Sequence, residues 1–241
     1  MFIKRLLTEE LLDCVREYPV VTLLGPRQSG KTTLVRSEFS DKAYFSLEDP
    51  EIRLAAEMDP RGFLSRLDQG VILDEIQRVP ILLSYIQGIV DNVDEPGMFI
   101  LTGSHQPDLQ NKISQSLAGR TAILHLLPLA LEEIEQVHPG LDVFDWLVKG
   151  CYPRLMVRNL KPERFFNGYV QTYVERDVRS LINIKDLSRF QQFLVLLAGR
   201  IGQVMNYSAL ANDVGVSSTV TQLFELKKYP IFSISYRVEL S

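Results

Sequence analysis

A glycine-rich segment is the part of the sequence whose residue types fit one chemistry most clearly. It follows the pattern GxxxxGK[ST], in which backbone N–H groups surround the oxygens of a phosphate chain. In this pattern Lys31 binds the terminal phosphates and the Thr32 hydroxyl binds Mg²⁺. The segment predicts a phosphate-binding loop (P-loop) with ATP and Mg²⁺ as ligands. It consists of Gly25, Pro26, Arg27, Gln28, Ser29, Gly30, Lys31, Thr32 and Thr33.

Two adjacent carboxylates follow an apolar run at residues 71–73. We predict that Asp74 holds Mg²⁺ and that Glu75 polarises the attacking water, because hydrolysis needs a positioned base beside the γ-phosphate. On its own such a pair could equally be a solvated strand end. The P-loop earlier in the chain favours the hydrolytic interpretation, although kinases can share such a loop.

Three other side chains are weaker candidates. Thr102 ends a third apolar run and is predicted to hydrogen-bond the γ-phosphate or the attacking water, although Thr-Gly-Ser also suits a simple turn. Arg120 precedes a further apolar run and could supply charge to the transition state as an arginine finger does. Arg27, inside the loop, could do the same. For both arginines an ordinary surface role is the alternative.

The elements that must position these residues indicate an α/β fold. Five near-continuous apolar runs alternate with helix signals, which is typical of a parallel sheet covered by helices on both faces. Asp49-Pro50 and Asp59-Pro60 predict helix starts, because Asp caps free amides and Pro suits the first turn. A strand enters the P-loop and a helix leaves it, which disfavours a merely flexible glycine turn. The five predicted strands are residues 20–24, 43–47, 71–73, 98–101 and 122–126.

The strand signal fades after about residue 140, and apolar residues then recur at helical spacing. We therefore predict a P-loop ATPase core over residues 1–140 and a helical region over residues 141–241, with Pro139-Gly140 at the boundary.

Charge and composition exclude several classes. A net charge of −4 gives no general attraction to nucleic acid. Cys14 and Cys151 are too far apart in sequence to indicate a disulfide scaffold or zinc site, and no apolar run approaches the length of a membrane span. We expect a soluble, cytoplasmic protein. The guanine-reading string Asn-Lys-x-Asp does not occur, which disfavours a common GTPase.

Taken together, these motifs resemble the prokaryotic AAA-type ATPases that carry a C-terminal domain of unknown function. The resemblance implies an AAA-like P-loop core with the sheet order 5-1-4-3-2, binding of ATP and Mg²⁺, and a winged-helix region behind the core. It supports Lys31 and Thr32 at the phosphates, Asp74 and Glu75 at metal and water, and Thr102 as a sensor. The matching residues are 25–34, 73–77, 101–104, 119–120 and 172–178.

Within a winged-helix-like segment at about residues 187–241, residues 206–217 fit a helix, a glycine turn and the start of another helix, which is helix-turn-helix spacing. The second helix, predicted at residues 217–226, has no Arg or Lys before Lys227, so phosphate contacts to DNA would be sparse. We expect protein packing here more than sequence-specific DNA binding. Members of the family continue into a further C-terminal domain. The tail at residues 231–240 alternates like a strand from residue 234 to residue 240, and it is interpreted as a wing or as the out-of-frame end of a truncated gene.

Two main hypotheses follow. The first is an ATPase whose hydrolysis switches the helical region relative to the P-loop core. The second is a nucleotide-gated module that binds DNA or protein and turns over little ATP. A small-molecule kinase is a third class, but nothing in the sequence marks an acceptor site. An arginine finger that acts across subunits would require a homo-oligomer.

Overall fold

Five parallel strands form the sheet that carries the predicted site. The protein is represented by a computed structural model that describes residues 3–65, 67, 70–93, 95–104, 107–158, 160–174, 187–200, 203–204 and 206–216. The chain divides into two compact units, Met1–Leu141 and Asp142–Ser241, and the sheet lies in the first. No helix within the described ranges has the length and apolar character needed to cross a bilayer.

The strands follow the spatial order β2-β3-β4-β1-β5, and every neighbouring pair is parallel. This order confirms the one that the resemblance implied. The three central strands β1, β3 and β4 are buried along their whole length, as their near-continuous apolar runs predict. The strands are β1 (Val20–Gly25), β2 (Ala43–Ser46), β3 (Val71–Asp74), β4 (Phe99–Ser104) and β5 (Thr121–His125).

Helices cover both faces of the sheet, as predicted. Successive strand residues point to opposite faces, so Leu73 belongs to one apolar cluster with Leu82, and Ile72 belongs to another with Leu34. The helices of this unit are α1 (Thr8–Glu17), α2 (Lys31–Glu38), α3 (Pro50–Met58), α4 (Pro60–Leu64), α5 (Leu82–Val90), α6 (Pro107–Ser116) and α7 (Leu131–Glu135), with a 3₁₀ turn at Ile76–Arg78.

The two Asp-Pro helix starts are confirmed. The Asp49 carboxylate accepts hydrogen bonds from the backbone N–H groups of Glu51 and Ile52, and Asp59 accepts one from Gly62. These bonds satisfy donors that the first turn of a helix leaves open.

In the described part of the second unit, all regular elements are helices. Its core contains Tyr152, Phe190, Phe193 and Leu210. Its helices are α8 (Val143–Lys149), α9 (Pro153–Arg158), α10 (Pro162–Tyr169), which continues into a π-helical turn at Val170–Val174, α11 (Leu187–Ala198) and α12 (Tyr207–Val214).

The first helix of the segment predicted as helix-turn-helix lies in this unit. Helix α12 begins after Asn206, whose side chain accepts a hydrogen bond from the Ala209 N–H, and it ends at Gly215 in the left-handed conformation, with φ 72°. The predicted second helix at residues 217–226 and the strand-like alternation predicted at residues 234–240 lie outside the described residues.

Candidate functional site

The P-loop joins β1 directly to α2. Its two glycines are required for different steric reasons. Gly30 precedes α2 with φ 97°, a left-handed conformation that glycine adopts at no steric cost. Gly25 has a close neighbour instead, since a Cβ atom there would lie 2.2 Å from the carbonyl oxygen of Leu126. The loop is therefore packed tightly against the chain that follows β5.

Lys31 is buried at the start of α2, with 5% of its surface exposed. Its Nζ donates hydrogen bonds to the carbonyl oxygens of Gly25, at 3.0 Å, and Pro26, at 2.9 Å. Burial lowers the pKa of the Lys31 ammonium, and the nearby charges of Glu75 and Asp74 oppose that effect. The ammonium is thus held against the loop by backbone acceptors that a phosphate oxygen could replace.

Three hydroxyl groups donate to the carboxylate of Asp74 at the end of β3. Thr32 Oγ1 donates to Oδ2 at 2.9 Å, and Tyr44 Oη donates to the same oxygen at 2.7 Å. Thr102 Oγ1, from β4, donates to Oδ1. Burial, followed by the hydrogen bond to Asp74, raises the pKa of Tyr44 well above its ordinary value, so its phenol remains a donor. The P-loop and three neighbouring strands therefore meet at one carboxylate.

Glu75 follows in a left-handed conformation, with φ 61°. Its backbone N–H donates to Thr102 Oγ1 at 3.3 Å, and its Oε2 accepts a hydrogen bond from Gln77 Nε2. A carboxylate can only accept, so the amide nitrogen of Gln77 must face Glu75 and its Oε1 must face away. That oxygen lies against Gly103, where a Cβ atom would come within 2.9 Å of it.

This edge of the sheet carries buried polar atoms suited to a polar ligand. Ser29 Oγ, Gln77 Oε1 and Ser104 Oγ are buried without a hydrogen-bond partner in the described part of the chain. Leaving such atoms unsatisfied is costly, so a bound phosphate chain or its water would relieve that cost.

The residues also fit Mg²⁺. The described residues contain no cluster of three His, Cys, Asp or Glu that could enclose a metal ion. Mg²⁺ does not need such a cluster, because it usually takes one or two carboxylates together with substrate phosphates and water. Thr32 and Asp74, in direct contact beside the loop, supply that donor set.

The structure thus brings Lys31, Thr32, Asp74, Glu75 and Thr102 together at one edge of the sheet. Arg27 lies in the loop itself, and its Nη1 is 3.9 Å from Glu48 Oε1.

Arg120 lies elsewhere. Its carbonyl oxygen accepts a hydrogen bond from the N–H of Val20, the first residue of β1, and its guanidinium pairs with Asp91. The P-loop follows the other end of this six-residue strand, about 17 Å away. Arg120 therefore lies far from the P-loop of its own chain, and its role as an arginine finger stays a prediction.

Four residues of this region were not singled out from the sequence. Gln77 lies within the motif at residues 73–77 but had no assigned role. Tyr44 lies in an apolar strand whose pattern does not indicate a polar contact. Arg5 and Glu133 form a buried ion pair behind the loop, from Arg5 Nε to Glu133 Oε2 at 3.1 Å, and no local sequence signal could have paired them.

Two protein-family models match successive parts of the chain. A family model described as an AAA domain matches residues 17–135, and one described as a domain of unknown function (DUF8612) matches residues 140–226. Uncharacterized proteins of Mycobacterium bovis and Mycobacterium tuberculosis are each 33% identical over 213 residues. These matches cover 86% of this chain and 46% of each relative, so the chain spans less than half the length of the curated relatives it matches.

Solved structures of P-loop ATPases are also similar. The Walker-type ATPase of Pyrococcus abyssi is 16% identical with a TM-score of 0.49, over 90% of this chain and 94% of that one. A RuvB variant of Thermotoga maritima is 19% identical with a TM-score of 0.48, over 94% of this chain and 87% of that one.

Proposed function

This chain belongs to the AAA-type P-loop ATPases that carry a C-terminal domain of unknown function, and on that premise we propose that it is a Mg²⁺-dependent ATPase. One observation carries the proposal: the hydroxyl of Thr32 lies 2.9 Å from the carboxylate of Asp74. That contact joins the phosphate-binding loop to a strand-end carboxylate, which is the pairing that a nucleotide-bound Mg²⁺ requires.

Each residue of the site has a role in this proposal. The Lys31 ammonium exchanges its loop carbonyls for oxygens of the terminal phosphates, and Thr32 and Asp74 hold Mg²⁺. When bound, Mg²⁺ neutralises charge that develops on the phosphates. Glu75 orients and polarises the attacking water. Thr102 supports both carboxylate residues, because its hydroxyl donates to Asp74 and accepts the backbone N–H of Glu75.

Hydrolysis by this site also needs positive charge near the γ-phosphate. Arg120 lies at the opposite edge of the sheet, so we propose that it acts on the nucleotide of a neighbouring copy in a homo-oligomer. In this account hydrolysis switches the helical region of residues 141–241.

The position of Arg120 also favours the second candidate function, a nucleotide-gated module that engages DNA or protein. A single copy, with Arg120 remote from its own loop, would hold ATP and turn it over slowly. A turnover near 10 s⁻¹ by a monomer without partners, about the median for enzymes, would exclude this candidate.

The proposed activity is tested by phosphate release from ATP with Mg²⁺ present and after chelation by EDTA. We expect phosphate release to fall to the uncatalysed background when Mg²⁺ is removed, because Asp74 and Thr32 would hold the nucleotide only through the metal ion. A matched sample with Asp74→Asn should be inactive at all Mg²⁺ concentrations. Release that is unaffected by chelation, or absent at every protein concentration with and without DNA, would contradict the proposal.

Tyr44→Phe should raise the Mg²⁺ concentration needed for half-maximal nucleotide binding by about tenfold, a typical effect of losing a group that supports a metal ligand. The reason is that the Tyr44 phenol orients the Asp74 carboxylate. The measurement is a Mg²⁺ titration of a fluorescent ATP analogue. Tyr18→Phe is the matched control, because Tyr18 precedes β1 at the far edge of the sheet. Equal Mg²⁺ requirements for the two variants would contradict this role for Tyr44.

A further inference from the structure

Arg5 is a buried cation outside the motifs of the nucleotide site, with 6% of its surface exposed. Its Nη1 donates to the carbonyl oxygen of Ser29, inside the P-loop, at 2.7 Å. Its Nη2 donates to the carbonyl oxygen of Leu127 at 2.7 Å. One guanidinium therefore joins the loop to the segment that follows β5.

Glu133 lies beside the Nε atom of this guanidinium and is itself 3% exposed. Its Oε2 lies 3.1 Å from Arg5 Nε and accepts the N–H of Ala130 at 2.9 Å, while its Oε1 accepts the N–H of Leu6 at 2.7 Å. A buried ion pair is weak support for stability, because desolvation of the two charges offsets their attraction. The two directed hydrogen bonds from Arg5 to backbone carbonyls, and those that Glu133 accepts from backbone N–H groups, point instead to fixed geometry.

The geometry that Arg5 fixes is that of one peptide group. In a trans peptide the C=O and the following N–H point in opposite directions. Because the Ser29 carbonyl points to Arg5, the N–H of Gly30 points away from Arg5. The N–H groups of a P-loop are its phosphate ligands, so Arg5 determines the direction of one of them.

The hydrogen bond from Arg5 to Leu127 also affects the P-loop. The carbonyl of the adjacent Leu126 closely approaches Gly25, at the start of the loop. Arg5 therefore holds the loop at Ser29 and also fixes the segment against which Gly25 packs. The planar fork of an arginine can reach two carbonyls and a carboxylate together, whereas a lysine ammonium has no such fixed geometry.

We propose that Arg5, held by Glu133, is a positioning residue that presets the Ser29-Gly30 peptide for phosphate binding. The proposal rests on the proposed function of the loop as a nucleotide site. It assigns to the segment before α1 an influence on nucleotide affinity without contact to the nucleotide.

The test compares ADP affinity, measured by calorimetry on the full chain, among folded variants. Arg5→Met combined with Glu133→Gln removes both charges together, so neither remains buried alone. We expect this double variant to bind ADP at least about tenfold more weakly, or about 1.4 kcal/mol. Glu133→Gln alone removes the charge that holds Arg5 but keeps the Arg5 donors to Ser29 and Leu127, so it should weaken ADP binding less than the double variant does. Arg5→Lys, which keeps one donor, should be intermediate.

Val90→Ala, a cavity variant at the buried end of α5, tests whether a loss of stability alone lowers ADP affinity. It should lower the melting temperature while leaving ADP affinity unchanged. Wild-type ADP affinity in the folded double variant would overturn the proposal. If that variant does not fold, wild-type affinity in Arg5→Lys would overturn it.

Hydrogen exchange tests the positioning role of Arg5 independently of the proposed nucleotide-binding function. Peptides covering residues 25–34 should exchange faster in the double variant than in wild type without nucleotide, because the loop has lost its support. If the wild type binds no ADP, the proposed function fails, and the exchange comparison alone decides for or against the role of Arg5. Unchanged exchange in that case would overturn it.

Discussion

Glu75→Gln is expected to reduce phosphate release from ATP by about 100-fold to 1,000-fold, within the usual range for loss of a general base. Glutamine has nearly the same shape as glutamate and can still accept the hydrogen bond from Gln77 through its carbonyl oxygen, so the turn after β3 should persist. It cannot take a proton from water. The affinity for ATP should therefore stay within about threefold of wild type, which is the pattern of an interaction made only in the transition state.

Release should be measured in single-turnover experiments, with ATP affinity measured separately. Glu57→Gln, an exposed carboxylate on α3, is the matched control and should behave as wild type. If Glu75→Gln released phosphate at the wild-type rate, Glu75 would not be the base.

Lys31→Ala is expected to weaken ATP binding by roughly 100-fold, the effect of removing a buried charged partner, and to abolish turnover. The ammonium is the group that the structure holds against the loop carbonyls of Gly25 and Pro26. Alanine suits a helical position, so the fold should tolerate the change. The melting temperature should be measured alongside, so that a loss of ATP binding can be told apart from unfolding.

Lys42→Ala is the control for this variant, since Lys42 precedes β2 at the opposite edge of the sheet. It should bind ATP as wild type does. Loss of ATP binding in both variants would indicate an effect of charge in general and not of the P-loop lysine.

The centre of the site was predictable because it follows from strand ends. Parallel strands place their carboxyl ends at one edge, so a P-loop after β1, carboxylates after β3 and Thr102 on β4 must converge once the strands are assigned. The same reasoning excludes Arg120 from that edge, because a residue that precedes a parallel strand lies at the amino edge. The position of Arg120 at the amino edge could therefore be predicted from the sequence.

The supporting contacts could not be predicted in this way. Tyr44 reaches Asp74 because β2 lies beside β3, and in the register of that pair Ser46 is opposite Asp74. That pairing depends on the strand order, which came from the resemblance and not from periodicity. Arg5 and Glu133 are far apart in sequence, and each taken alone has the pattern of an exposed charge. Only the packing of α7 behind the P-loop brings them together.

The helices of the second unit could also be predicted from the sequence. The helical spacing of apolar residues correctly predicted helices after residue 140, and Gly215 ends α12 where the turn was expected. The predicted second helix at residues 217–226 lies outside the described residues, and binding of protein or DNA by this unit is a proposal.

ATP binding and phosphate release should be measured side by side for wild type, Lys31→Ala and Glu75→Gln, with Mg²⁺ present. We expect that wild type binds and hydrolyses ATP, that Glu75→Gln binds but does not hydrolyse it, and that Lys31→Ala does neither. Wild-type ATP affinity in a folded Lys31→Ala variant would contradict the assignment of residues 25–33 as the phosphate site.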